Sequence, residues 1–139
     1  MSHTTEPPRL YPTLRYKNAA KMIDWLGEAF DFSVRARFGE GDVVHHAELT
    51  FRSSMIMLGT ARDDKFGQMV GAPGSGGGRA IYVAVADADA AFARAKSAGA
   101  DILEELVDRN YGSREFICRD PEGNVWSFGT YWPKANEKA

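Results

Sequence analysis

The chain has 139 residues, 44% of them hydrophobic and 26% charged, with a formal net charge of −2. That length suits one domain with a core of its own, and the small net charge with scattered Lys and Arg argues against nucleic acid or a membrane surface as partner. No apolar run approaches the roughly 20 residues of a membrane span, MSHTTEPPRL lacks a secretory h-region, and Cys118 is the single cysteine, so a cytoplasmic protein without an intrachain disulfide is expected.

Residues 1–9 predict a loose polar arm with Pro7-Pro8. Residues 10–16, LYPTLRY, alternate apolar and polar positions like a half-buried strand. Asn18 can cap a helix, and AAKMIDWLGEAF sets Ala19, Met22, Ile23, Leu26 and Phe30 on one face at helical spacing. Strands are predicted over residues 32–40, ending at Gly39-Glu40-Gly41, then over Val43–Phe51 and residues 54–59. GAPGSGGG, residues 71–78, reads as a flexible connector; no Gly-Lys-Ser/Thr follows it, so it does not suit a phosphate loop.

The order of elements then repeats. A strand is predicted over residues 79–87, and Asp87 can cap a helix in ADAAFARAKSAG that Gly99 ends. ADILEELVD is a further strand, and SREFICRD and NVWSFGTY are two more, joined by Pro121-Glu122-Gly123. The chain therefore reads β-α-β-β-β twice within one domain, with module one at about 10–60 and module two at about 79–133. Superimposing Asn18 on Asp87 gives an offset of 69 residues and sets Met57 opposite Ser127 to within one residue.

Two such modules closing on DPEGNVWSF resemble the vicinal oxygen chelate superfamily of glyoxalase, bleomycin-resistance and extradiol-dioxygenase proteins. The resemblance covers residues 10–133 and is most specific at Tyr111-Gly112, Arg114, Arg119-Asp120-Pro121, Gly123-Asn124 and Trp126, and at Asn18-Ala19-Ala20. It is greatest toward the phosphonate-operon and bleomycin-resistance-like branches. The resemblance implies an α+β fold in which two βαβββ modules form a curved, mostly antiparallel eight-stranded sheet around a cleft. It also implies a homodimer, as many members are, and in the enzymes a divalent metal held from the first and last strand of each module.

Carried over position by position, those ligand sites fall on Tyr11, Met57, Ala80 and Ser127, or on Thr13 and Tyr82 if the first strands shift by two. A catalytic divalent ion needs about three imidazole, carboxylate or thiolate ligands, and none stands there, so no metal cofactor is expected. His45 and His46 are neighbours on a strand and point to opposite faces. His46 and Glu48 share a face, and with Glu115 they form the alternative metal set.

Strand alternation puts Tyr11, Thr13, Arg15, Val44, His46, Glu48, Thr50, Met55, Met57, Ala80, Tyr82, Ala84, Glu115, Ile117, Val125 and Ser127 on the cleft side. It puts Val43, His45, Ala47, Leu49, Phe51, Phe116, Cys118, Trp126 and Phe128 toward the core. The candidate ligand-binding residues are Tyr11, Arg15, His46, Glu48, Met55, Met57, Tyr82, Glu115 and Ser127. Tyr11 and Tyr82 suit a planar aromatic ligand, and Glu48 and Glu115 a cationic one. The expected activity is metal-free sequestration of a small molecule, like the bleomycin-resistance members. The alternatives are a metal-dependent lyase, isomerase or dioxygenase, and a metal-free enzyme in which Glu48 or Glu115, with pKa raised by burial, acts as base beside His46.

Overall fold

The computed structural model describes residues 6–74 and 77–135. The first residues of the predicted arm, with His3, and two connector residues lie outside them. The elements in chain order are β1 (Thr13–Tyr16), α1 (Ala19–Phe30), β2 (Ser33–Glu40), β3 (Val43–Phe51), β4 (Ser54–Thr60), α2 (Lys65–Val70), β5 (Ile81–Ala84), α3 (Ala88–Ser97), β6 (Asp101–Asp108), β7 (Arg114–Arg119) and β8 (Val125–Gly129). They form two mixed four-stranded sheets of equivalent order, β1-β4-β3-β2 and β5-β8-β7-β6, each with one parallel pair at the β1 or β5 edge. The predicted βαβββ repeat is thus the architecture, and its offset survives in the pairing: Thr13 lies beside Met57 as Tyr82 lies beside Ser127.

The chain divides into two compact units, one of residues up to Gly27 with Asp31–Pro73, the other of Glu28–Phe30 with the chain from Gly74 on. The first unit buries Tyr16, Ala19, Met22, Ile23 and Leu26 together with Val44, Ala47, Leu49, Ile56 and Leu58. The second is built around rings. Phe30, from the last turn of α1, lies 4.9 Å from Trp126 and 4.8 Å from Phe128, Phe116 stacks on Phe128 at 4.9 Å, and Phe92 of α3 meets Phe116 edge-on at 5.2 Å. Buried aromatic pairs of this geometry add about 0.5–1.5 kcal/mol each beyond the area they bury.

The β7–β8 turn is held by one buried carboxylate. Asp120 accepts from the backbone N–H of Glu122 and Asn124, from the Asn124 amide and, at 3.0 Å, from Trp126 Nε1. Pro121 and Gly123 take the second and last places of this turn, which suits both. Cys118 on β7 is fully buried, and that burial pushes its thiol up to about 12. It is a small apolar core residue.

Several expectations are corrected. The first strand begins at Thr13 and not at residue 10, because Pro8 and Pro12 have no N–H to enter a ladder; Pro12 contributes only its carbonyl, to Met57 N. The fifth strand is likewise shorter than residues 79–87. Asn18 stands at the N-cap of α1 but makes no side-chain cap bond, whereas Asp87 caps α3 as expected, accepting from Ala90 N at 3.0 Å.

The helix α2 was not anticipated. On β3 the alternation breaks: Phe38 pairs with His46 but Gly39 with Val44, leaving His45 as the extra residue of a bulge. Val44 is therefore buried with Ala47 and Leu49, while Val43 and His45 are exposed, the reverse of the expected faces. Gly39 is needed there, with φ 148° and room for no Cβ, which would lie 2.1 Å from the Val43 carbonyl oxygen.

Candidate functional site

Residues paired across a sheet project to the same face. In the first unit this sets Thr13, Met57, Glu48 and Ala36 in one row, with Met55 and Thr50 in the next. The middle of the row is a hydrogen-bonded trio. Glu48 Oε2 lies 3.0 Å from His46 Nε2, and its other oxygen accepts from Arg35 Nη1. His46 and Arg35 hold the Glu48 carboxyl below its usual range against a smaller effect of burial. The Phe38 ring stacks over His46 at 6.3 Å.

Beyond the C-terminal end of β4 the chain makes a groove of about 430 Å³, lined by Arg15, Ala61, Arg62, Asp63, Gly67, Gln68 and residues 71–73. Two guanidinium groups meet on one carboxylate there. Arg15 reaches both oxygens of Asp64 at 3.3 Å, and Arg62 Nε reaches Asp64 at 3.2 Å. Asp64 also caps α2 by accepting from Gly67 N at 2.7 Å. Arg15, then Gly67 and Arg62, keep the Asp64 carboxyl below its ordinary value. The Arg15 guanidinium lies 4.9 Å over the Phe66 ring.

In the second unit the corresponding row is Tyr82, Ser127, Ile117 and Glu104, and the next is Ala84, Gly129, Glu115 and Val107. Glu115 is buried. It accepts from Arg109 Nε at 3.0 Å and from the Tyr111 hydroxyl at 2.9 Å, and Arg109 also forks onto Glu104. Burial alone would raise the Glu115 carboxyl, but the hydrogen bonds of Arg109, Ser113 and Tyr111 outweigh it and the net direction is down. The Tyr111 phenol is pushed up chiefly by donating to Glu115, and the Tyr82 phenol chiefly by burial, so both remain donors. Tyr82 donates to the Tyr131 carbonyl at 2.7 Å, and the rings of Tyr111 and Tyr131 meet edge-on at 6.1 Å. Gly129 makes this convergence possible: a Cβ there would lie 2.6 Å from the Tyr82 hydroxyl and 2.6 Å from Glu115 Cγ. Tyr82, Tyr111, Tyr131 and Trp132 all expose ring surface.

A divalent metal does not fit the strand positions that the resemblance points to. The register places Thr13, not Tyr11, beside Met57, and Tyr82, not Ala80, beside Ser127. A hydroxyl with a thioether, and a phenol with a hydroxyl, do not hold a divalent cation against water. Both oxygens of Glu48 are already engaged. Among the described residues no group of three or more His, Cys, Asp or Glu side chains that could hold a metal ion comes together.

The structure thus brings His46, Glu48, Met55 and Met57 together on one sheet face, and Tyr82, Glu115 and Ser127 on another. Tyr11 lies outside the strand, its hydroxyl donating to the Pro8 carbonyl at 2.6 Å. Arg15 is drawn to the groove. Sequence reasoning missed Arg62, Asp64, Phe66, Gln68, Arg109 and Gly129. Only Asp64, three residues before Gly67, carried a signal, that of a helix cap. The expected raised pKa at Glu48 and Glu115 is also overturned: His46 and then Arg35 lower the first, and the hydrogen bonds of Arg109, Ser113 and Tyr111 outweigh burial at the second.

The family model described as Glyoxalase/Bleomycin resistance protein/Dioxygenase superfamily matches residues 2–128. An uncharacterized protein of Mycobacterium bovis is 36% identical over 129 residues, covering 88% of this chain and 82% of that protein. Among solved structures, TioX from Micromonospora sp. ML1 is 26% identical with a TM-score of 0.71, over 93% of this chain and 100% of that one. A member of the same superfamily from Sphaerobacter thermophilus, 17% identical, shares the fold with a TM-score of 0.70 over 88% of this chain and 96% of its own.

Proposed function

The chain belongs to the glyoxalase/bleomycin resistance protein/dioxygenase superfamily, and from that premise we propose that it is a metal-independent small-molecule-binding protein. The observation that carries the reading is the pairing of Thr13 with Met57 and of Tyr82 with Ser127, where a metal-dependent lyase, isomerase or dioxygenase would need imidazole and carboxylate. Affinity would come from ring stacking and desolvation rather than from chemistry. Tyr82, Tyr111, Tyr131 and Trp132 suit an aromatic ligand. A cationic group would have to compete with Arg35 at Glu48 and with Arg109 at Glu115.

The carboxylate-base alternative is disfavoured by the partners of both acids, His46 with Arg35 at Glu48 and Arg109 with Ser113 and Tyr111 at Glu115. A base with its pKa held down is a weak proton acceptor at neutral pH. The bound form is taken to be a cytoplasmic homodimer. Among the described residues no helix is long and apolar enough to cross a membrane, and the edge strand β2 exposes Val34 and Phe38.

The test is the metal content of the purified, untagged protein by elemental mass spectrometry after incubation with zinc, nickel, manganese and ferrous iron. No stoichiometric metal is expected, with a ligand screen by thermal shift to follow. About one ion per chain would overturn the reading and put the metal-dependent enzyme in its place.

A further inference from the structure

We propose that the groove between β1 and α2 recognises a carboxylate on a small apolar body, gripped by Arg15 and Arg62. This rests on the small-molecule-binding reading and names the ligand group. The groove's volume, about 430 Å³, is in the range of ligand sites. Beside it two guanidiniums meet one carboxylate, and the arginine contacts to Asp64 are long, at 3.2–3.3 Å. Charge-assisted pairs close to about 2.7–2.9 Å when each partner is satisfied. Arg15 presents Nη1 and Nη2 to the two oxygens of Asp64, whereas Arg62 meets it through Nε alone and turns Nη1 to Thr60, so Nη2 of Arg62 and the remaining N–H groups of Arg15 are left for a second carboxylate. Asp63, the acid that lines the groove itself, is turned to Gln68, accepting from its amide at 3.0 Å.

The cation is also preorganised. The Arg15 side chain is only 12% exposed, fixed between Asp64 and the Phe66 ring, whereas Arg62, at 39%, is steadied by donating to the Thr60 carbonyl. A ligand therefore meets one shielded and one accessible guanidinium, with little ordering left to do. Ala61, Ala72 and Pro73 supply an apolar wall.

The experiment is a titration of ¹⁵N-labelled protein with phenylacetate, followed by amide shifts, with phenylacetamide and benzylamine as neutral and cationic controls. Saturable shifts are expected at Gly67, Gly71 and the Gln68 side chain. The affinity should exceed that for phenylacetamide by about tenfold, ~1.4 kcal/mol. Arg62→Gln should remove most of that preference, and Arg62→Lys should restore part of it.

Asp64→Asn is the sharper variant. Asparagine still caps α2 but no longer competes for the arginines, so phenylacetate should bind several-fold tighter. The proposal is overturned if phenylacetate gives no saturable shifts, if phenylacetamide binds equally well, or if Asp64→Asn folds and binds no tighter. Shifts confined to β7 and β8 would reject the groove while leaving a small-molecule-binding protein. Stoichiometric metal would reject that parent reading whatever the groove binds.

Discussion

Glu115 and Glu48 are the two carboxylates that a reader of the sequence would choose as bases, and the folded chain engages both, Glu48 with His46 and Arg35 and Glu115 with Arg109 and Tyr111. For Glu115 this has a consequence for stability. Its carboxyl titrates below the ordinary value of about 4.3, so its contribution is complete above that value and is lost as the pH falls through the lowered one. Glu115→Gln should therefore cost roughly 1–3 kcal/mol at pH 7, and the gap to the parent protein should narrow as acid is added. Urea denaturation of both proteins at a series of pH values measures this; a gap that widened in acid would contradict the assignment. Arg114, by contrast, forks onto Asp89 and reaches Asp108 at the surface, where such pairs contribute little.

At the scale of elements, the β7–β8 hairpin depends most on a single side chain. Asp120→Ala would leave Trp126 Nε1, buried, without its acceptor, along with two turn amides. A loss of about 3 kcal/mol is expected in chemical denaturation, and less for Asp120→Asn, which keeps an acceptor.

This hairpin was also the most legible part of the sequence, because Asp-Pro-x-Gly-Asn encodes its turn locally. The face of α1 was legible for the same reason: one helix and one period. The missed features are those in which local pattern carries no information. None of the residues of α2 is buried, so no apolar period marks it. The bulge at His45 arises from the pairing of β3 with β2, and an alternation rule has no place for an extra residue. The partners of the candidate acids could not be seen either, since Arg35 is 13 positions from Glu48 and reaches it only because the sheet folds them together.

At the scale of the molecule, β2 is an edge strand that keeps Phe38, at 60% exposure, and Val34 in solvent. Exposed apolar edges of this kind invite pairing with another chain. Light scattering should give twice the chain mass, and Phe38→Lys should shift it toward the monomer; a parent protein that is monomeric at working concentration would remove the homodimer from the proposed function.

The two modules look interchangeable as a repeat, yet they are not equally self-sufficient. The second unit takes Phe30 from a helix that begins in the first, and Arg94 on α3 fastens that helix end by donating to the Glu28 carbonyl at 2.7 Å. A fragment starting at Gly74 would reach the solvent with a hole where this ring belongs, and a fragment ending there would carry the ring with nothing to seat it. The halves therefore share an architecture without being separable property: shuffling them as cassettes would have to move the last turn of α1 along with the half it serves.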